Sequence, residues 1–359
     1  MKICLNMIVK DEAGIIAATL CSYIPYVDYY VICDTGSSDE TVAVINKVMD
    51  RAGIPGEIHE IAFNDFEYAR NRALEYAQQS SGSFDYILFA DADRTIEVKG
   101  TDWKERLNND CYSARIYTQN VSYFVVRLVR KSVQCRWQGV THEKLMYECK
   151  VKRHPDLLFR EQGTGDSRKI KYRRDVALLS TALKEQPDNS RYWFYLGQSH
   201  FNLGEYQQAA DAYGKRSVFG DDSQEVFYSL YRLGLCWERM GHWPEALDCY
   251  LCSYQFRPSR FEGLYEIARY YRATGNPHLA ILFAEHCITA PYPREDGLFI
   301  RDRVYKFGIP YEYAYSANQV GQRAPARDVC ARLLDEPSLT VSERKKLLKL
   351  WNEINGTSS

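Results

Sequence analysis

Tyr86-Ile87-Leu88-Phe89-Ala90-Asp91-Ala92-Asp93-Arg94 is the stretch whose reading decides the fold. Its first five residues are apolar or aromatic, β-leaning and bounded by polar residues, so they predict a buried strand. In an extended chain residues i and i+2 point to the same side, so the carboxylates of Asp91 and Asp93 are expected to project together from the strand's end. Two adjacent anions repel unless a cation sits between them, and a hard divalent ion with oxygen ligands is the usual answer. The carboxyl ends of strands are also where open α/β sheets bind their ligands. The pattern points to a metal-chelated phosphate.

Working back from this strand, apolar runs alternate with helical spacing. Lys2 to Val9 reads as a strand and Glu12 to Tyr23 as a helix; Tyr29 to Cys33 is a second strand, followed by a helix from about Asp39 to Arg51. Glu57 to Ala62 reads as a third strand and Phe66 to Gln79 as an amphipathic helix. This β-α-β-α-β-α-β order predicts a mostly parallel α/β sheet. Further strands at about Cys111 to Thr118 and Phe124 to Arg130 lack helical partners and are expected to add mixed or antiparallel strands at the sheet's far side.

Beyond the turn-forming, charged segment Gly163-Thr164-Gly165-Asp166-Ser167-Arg168-Lys169, the pattern changes to long helices. That segment reads as a linker, or as a contributor of Arg168 and Lys169 to an anion site, and the domains are expected at 1–165 and 166–359. Leu196-Gly197, Gly204 and Ala209 match Leu233-Gly234, Gly241 and Ala246 at an offset of 37; Ala268, Gly275 and Ala280 continue after a further 34. Such a repeat resembles tetratricopeptide helix pairs, with small residues allowing close helix contact and Tyr213 and Tyr250 filling the gaps. A fourth unit is expected from Tyr311 to Leu334, after an irregular stretch containing Pro291 and Pro293. Stacked repeats bury a continuous core and present a concave face for a partner or a peptide.

The 359 residues suggest two or three domains, and 45% hydrophobic with 26% charged residues is ordinary for a soluble globular chain. A formal net charge of −1 gives no pull toward nucleic acid or anionic membrane. No run is long enough to span a bilayer, and Met1-Lys2 leads straight into a strand without a signal-peptide core. Eleven scattered cysteines fit reduced thiols better than a disulfide framework, so a cytoplasmic setting is expected. Neither a G-x-x-x-x-G-K-[ST] loop nor a G-x-G-x-x-G after the first strand occurs, which counts against P-loop enzymes and dinucleotide oxidoreductases. Cys249 and Cys252 form a lone C-x-x-C within a repeat helix, a poor zinc or redox signal.

Asp34-Thr35-Gly36-Ser37-Ser38-Asp39 follows the second strand. Ser37 and Glu40 have capping-box spacing, and Gly36 permits a tight turn. Asp34, at the strand's end, is placed to accept hydrogen bonds from a base or ribose. Lys10-Asp11-Glu12 stands at the corresponding place after the first strand, and Arg70 lies in the Phe66 helix; each reads equally as a solvated surface charge or as a ligand contact. Gly139-Val140-Thr141-His142-Glu143 reads as a loop following a strand, where His142 is a satisfied core histidine or, if the fold brings it beside Asp93, a metal ligand.

Together these segments resemble the family 2 glycosyltransferases with a GT-A fold: Asn6 to Glu12, Asp34 to Asp39, Ala69-Arg70-Asn71, Asp91-Ala92-Asp93 and Gly139 to Glu143. The helical half is similar to the subgroup in which tetratricopeptide repeats follow the transferase, some members of which glycosylate peptides, including on cysteine sulfur. The resemblance implies a mixed GT-A sheet flanked by helices and followed by an all-α tetratricopeptide-like solenoid. It implies an inverting hexosyltransferase that uses a UDP-sugar and Mn²⁺ or Mg²⁺. Val9, Asp11, Asp34, Arg70, Asp91 and Ala92 would bind the nucleotide sugar, Asp93 and His142 the metal, and Glu143 would act as base. The acceptor is expected to be a peptide, protein or glycan, with homo-oligomer formation an alternative use of the repeats. A non-catalytic repeat adaptor with a degenerate transferase domain, and a nucleotidyltransferase, are the competing readings.

Overall fold

The computed structural model describes residues 1–117, 122–161, 165–220 and 222–356. It divides into two compact units, Met1–Pro187 and Asp188–Ser359. The change from strands to helices comes at Gly165, where a helix running to Glu185 begins. Gly165 to Lys169, expected in a linker, are its first turns, whereas Gly163 and Thr164 lie outside the described residues.

In the first unit, β1 (Ile3–Val9), α1 (Ile16–Tyr23), β2 (Tyr29–Asp34), α2 (Thr41–Ala52), β3 (Gly56–Glu60), α3 (Phe66–Gln79) and β4 (Tyr86–Asp91) follow in the expected order. Six further strands succeed them: β5 (Arg94–Val98), β6 (Cys111–Tyr117), β7 (Ser122–Arg130), β8 (Cys135–Gln138), β9 (Lys144–Tyr147) and β10 (Val151–Glu161), then α4 (Gly165–Glu185). Thr118, expected at the end of β6, lies outside the described residues. Eight strands form one mixed sheet in the order β3-β2-β1-β4-β7-β6-β10-β5, and β8 and β9 form a separate hairpin. β1 to β4 are mutually parallel, while β7 runs antiparallel to both β4 and β6. This is the expected mixed α/β sheet flanked by helices.

β1 and β4 are buried on both faces, which is why they read as continuous apolar runs rather than alternating ones. The buried side chain of Asn6 is satisfied by donating to the carbonyls of Val31 (3.2 Å) and Ala73 (2.9 Å), tying β1 to β2 and α3. Cys111 and Cys149 are joined by a disulfide; the expectation of reduced thiols holds for the nine free cysteines and not for this pair. Spacing alone cannot show that the start of β6 and the turn before β10 meet.

The second unit consists of helix pairs: α5 (Ser190–Leu203) with α6 (Tyr206–Ser217), α7 (Ser223–Arg239) with α8 (Trp243–Phe256), α9 (Glu262–Ala273) with α10 (Pro277–Ile288) and α11 (Ile309–Gln319) with α12 (Arg323–Leu334). A final helix, α13 (Val341–Asn355), opens on a Thr340/Glu343 capping box. The repeat register has a direct packing cause. A Cβ added to Gly197 would lie 2.9 Å from the Tyr213 ring, and one added to Gly234 2.6 Å from the ring of Tyr250, at the same place in the next pair. Gly234→Ala should therefore destabilise the second unit by about 1–3 kcal/mol, read in urea denaturation; an unchanged midpoint would contradict this packing account. Among the described residues no helix is long and apolar enough to cross a membrane.

Candidate functional site

The strand order reverses at β1 and β4, so the crevice of the sheet lies at their carboxyl ends. The register aligns the candidate residues there: Val9 pairs with Asp34, and Ile8 with Asp91.

Asp34 is buried and closes its own turn. Its Oδ2 accepts from the backbone N–H of Gly36 (3.3 Å) and Ser37 (3.0 Å), and its Oδ1 from the Ser37 hydroxyl. Gly36 takes a φ of +94°, which glycine alone adopts without strain. The Thr35 hydroxyl donates to the Val9 carbonyl (3.0 Å). Asp11, with a φ of +52°, accepts from the backbone N–H of Ser38 (2.6 Å), while its own N–H donates to Ser37 Oγ (3.0 Å). The two strand-to-helix turns are thereby laced into one rim. The expected Ser37/Glu40 capping box does not form, because α2 starts at Thr41, three residues later than that box requires. Asp39 instead accepts from the N–H of Thr41 (3.0 Å) and of Ala13 (3.1 Å).

The aspartate pair is split. β4 ends at Asp91 and the chain turns through Ala92 and Asp93 into β5, so the two side chains do not share an extended segment as the sequence reading assumed. Asp91 enters a cluster of three guanidiniums: it pairs with Arg70, with Arg127 at 2.8 Å and with Arg94 at 2.9 Å. Burial alone would raise its proton affinity, but Arg127, Arg94 and Arg70 outweigh it and hold the carboxyl well below the usual range. Arg70, itself buried, also donates to Glu143 Oε1 (2.9 Å) and to the Ala90 carbonyl (3.1 Å), and lies 5.4 Å from the Trp137 ring centre. Ala92 is buried, with its carbonyl accepting from the Thr19 hydroxyl (2.7 Å). The neighbouring Asn71 exchanges two hydrogen bonds with the backbone of Trp137, fixing α3 to β8.

Asp93 is different. Among the described residues its carboxylate has no hydrogen-bond or ion-pair partner, although it is partly buried. Its charge acts on Glu12: burial first, then Asp93, Asp39 and Asp11, push the Glu12 carboxyl up to about 7 against the pull of Arg174. The carboxylates outweigh the cations in electrostatic reach of them, Arg174 at Glu12 and Arg94 at Asp93, and leave a locally negative edge. A proton held more tightly in the folded than in the unfolded chain stabilises below the unfolded value, and that stabilisation is lost as pH rises from about 4.5 to about 7. At pH 8 and without divalent ions, Glu12→Gln should melt above the parent protein, and the difference should vanish near pH 4.5. Equal melting temperatures at pH 8 would refute the assignment.

His142 sits in the β8–β9 loop at a φ of +50°. Its Nε2 lies 3.4 Å from Oδ2 of Asp175 on α4, and Thr141 Oγ donates to Asp175 Oδ1 (3.0 Å). Asp175 is fully buried; burial raises its proton affinity, and the hydrogen bond and charge of His142, with Arg174 and Lys171, lower it below the ordinary value. The same loop is anchored to α3, since Gly139 N–H donates to Glu67 Oε2 (2.6 Å) and Phe66 N–H to the Val140 carbonyl (3.1 Å). Arg94, Arg127 and Asp175 were not singled out from the sequence. The available signals were an arginine inside the apolar run of β7, and an aspartate four residues before buried Leu179 on one helix stripe.

Among the described residues no three His, Cys, Asp or Glu side chains converge into an all-protein metal cage. The donor set of Asp93 and Glu12 fits a hard divalent ion that completes its shell with ligand oxygens and water.

Residues 5–143 match the family described as glycosyl transferase family 2, and residues 171–226 and 228–251 match tetratricopeptide-repeat families. The chain is similar to the SPbeta prophage-derived glycosyltransferase SunS of Bacillus subtilis (strain 168), with 28% identity over 229 residues, 59% of this chain and 52% of that one. It is also similar to a TPR repeat-containing protein of Synechococcus elongatus, with 27% identity over 277 residues, 71% of this chain and 66% of that one. The chain thus spans about half the length of SunS. Among solved structures, S. aureus TarS 1–349 aligns at a TM-score of 0.35 and 13% identity, over 68% of this chain and 89% of that one. The MamA protein aligns at 0.36 and 16%, over 51% and 90%.

Proposed function

Residues 5–143 form a family 2 glycosyl transferase domain with tetratricopeptide repeats behind it, and on that premise we propose that the protein transfers a sugar from a UDP-sugar to a peptide, protein or glycan acceptor. The observation that carries this reading is the division of labour in Asp91-Ala92-Asp93. Asp91 is neutralised by arginines, while Asp93 keeps an unpartnered carboxylate beside Glu12 at the edge where open α/β sheets bind nucleotides.

In this reading Val9, Asp11 and Asp34 frame the nucleoside. A carboxylate has about four acceptor positions, and the rim takes three of Asp34's, leaving one for a base N–H. Three guanidiniums (Arg70, Arg94, Arg127) face two carboxylates (Asp91, Glu143), so the cluster carries a net charge of +1, which favours the diphosphate. A divalent ion, Mn²⁺ or Mg²⁺, held by Asp93 with Glu12 would neutralise charge on the departing diphosphate. The Asp175 carboxylate behind His142 resembles the support usually found behind metal-ligating histidines, which keeps His142 in the proposed set.

The acceptor hydroxyl or thiol attacks the anomeric carbon on the face opposite the diphosphate. Its proton passes to Glu143, whose Oε2 is outside the Arg70 pair, and the sugar C1–O bond breaks with its electrons leaving on UDP. One displacement inverts the anomeric configuration. A panel of nucleotide sugars, followed by UDP release with Mn²⁺, tests the reading. Release from a UDP-sugar supports it; consumption of nucleoside triphosphates instead would favour a nucleotidyltransferase, and no turnover with any donor an adaptor.

A further inference from the structure

The first helices of successive pairs lie side by side, α5 against α7 and α7 against α9. In a repeat array the face that such helices line is where an extended partner binds. Here part of the connection between α10 and α11 lies on it. The backbone N–H groups of Gly297 and Leu298 both donate to the side-chain carbonyl of Gln224 on α7 (2.8 and 2.9 Å). Asp296 is buried against two arginines just ahead of α9: Arg257 Nε donates to its Oδ2 at 2.8 Å and Arg260 Nη1 at 3.2 Å. Arg260 Nη1 also donates to the Leu298 carbonyl (3.2 Å). The Phe299 ring stacks 6.3 Å from Phe194 of α5 and lies 5.1 Å from Tyr228 of α7. Arg301 then pairs with Glu266 of α9 at 2.8 Å and with the Tyr231 hydroxyl.

Every part of this segment is read as a bound peptide is read: an acid by two guanidiniums, paired backbone N–H groups by one amide oxygen, an aromatic ring in an aromatic slot, a cation by a carboxylate. Phe299 holds a φ of +43°, a conformation that a bulky residue keeps only when its surroundings impose it. We propose that Asp296–Arg301 is a tethered peptide ligand of the face it covers on α5, α7 and α9. Another chain carrying an extended acidic-aromatic-basic peptide of the same chemistry takes that face only when the tether leaves. The inference concerns the repeats alone and stands whether or not the first unit transfers sugar.

A tethered ligand acts at an effective concentration of about millimolar, so a free peptide binds the parent protein poorly. The test uses a fluorescently labelled synthetic peptide of residues 295–302 and the full-length chain. Asp296→Asn keeps the shape of the tether and removes the charge that Arg257 and Arg260 read; Asp296→Ala with Phe299→Ala releases it further. Fluorescence anisotropy should show saturable binding at least tenfold tighter to Asp296→Asn than to the parent, tighter again to the double variant, and competed by unlabelled peptide. Absence of saturable binding to Asp296→Asn with an unchanged helical circular-dichroism spectrum overturns the proposal, as does equal binding to the parent. If the double variant fails to fold, the single variant still decides. In the parent protein the amides of Gly297 and Leu298 should be protected but exchange faster than those of α7, because the tether opens while the helices stay folded; exchange as slow as in α7 overturns it.

Discussion

Replacing Asp93 by asparagine is expected to lower donor turnover by on the order of 10²–10³-fold while leaving the fold intact, a loss comparable with removing one group that stabilises charge developing on a departing oxyanion. The two halves of this expectation come from one observation. Among the described residues the Asp93 carboxylate has no partner in the protein, so removing its charge leaves no cation unpaired. It relieves Glu12, whose proton affinity Asp93 raises, so the metal-free variant should melt no lower than the parent at pH 8. Turnover at the parent rate in the presence of Mn²⁺ would remove Asp93 from the proposed metal site.

The opposite outcome is expected two residues earlier. Asp91→Asn should cost about 3–5 kcal/mol of stability, the range for removing one partner of a buried ion pair, because Arg70, Arg94 and Arg127 lose their common counter-charge. Denaturant unfolding of the first unit's transition reads this directly, and a loss below about 1 kcal/mol would place the cluster among weak surface pairs. The pH dependence has a definite sign. The folded-state proton affinity of Asp91 is depressed, so its contribution is present above the unfolded value of about 3.9 and is lost as pH falls from there through the folded value. The parent protein should lose stability on acidification below about pH 4 more steeply than Asp91→Asn. A pair that reads as one motif therefore separates into a folding residue and a residue kept free for a ligand.

Much of the architecture was legible because it rests on local periodicity. Phe66 to Gln79 is helical over its whole expected length, and the glycine–tyrosine pairs of the repeats follow from a 37-residue register that is visible before any contact is known. The site was legible only as a set of positions. Asp34, Asp91 and Glu143 were picked out by their places at strand ends and in a loop and Arg70 by its place in the Phe66 helix, yet what each touches depends on pairings across as many as 73 residues, as between Arg70 and Glu143. The turn at Ala92-Asp93 contains neither glycine nor proline, so nothing local announced that the strand stops at Asp91. The Ser37/Glu40 box was lost, and the Thr41 N–H met by Asp39 instead, because α2 starts three residues later than the box requires. The connection through Pro291 and Pro293 was seen as irregular, but that its continuation would lie along the face expected to receive a partner is a fact of tertiary packing alone.

Asp91-Ala92-Asp93 thus combines an anion that organises three arginines with a partly buried carboxylate that has no hydrogen-bond or ion-pair partner among the described residues. The most direct test of this division is calorimetric titration of the parent protein with UDP, with and without Mn²⁺. The expected result is saturable UDP binding that strengthens at least tenfold when Mn²⁺ is added, with the metal enhancement lost in Asp93→Asn. Binding of equal strength with and without the ion, or no UDP binding at all, would contradict it.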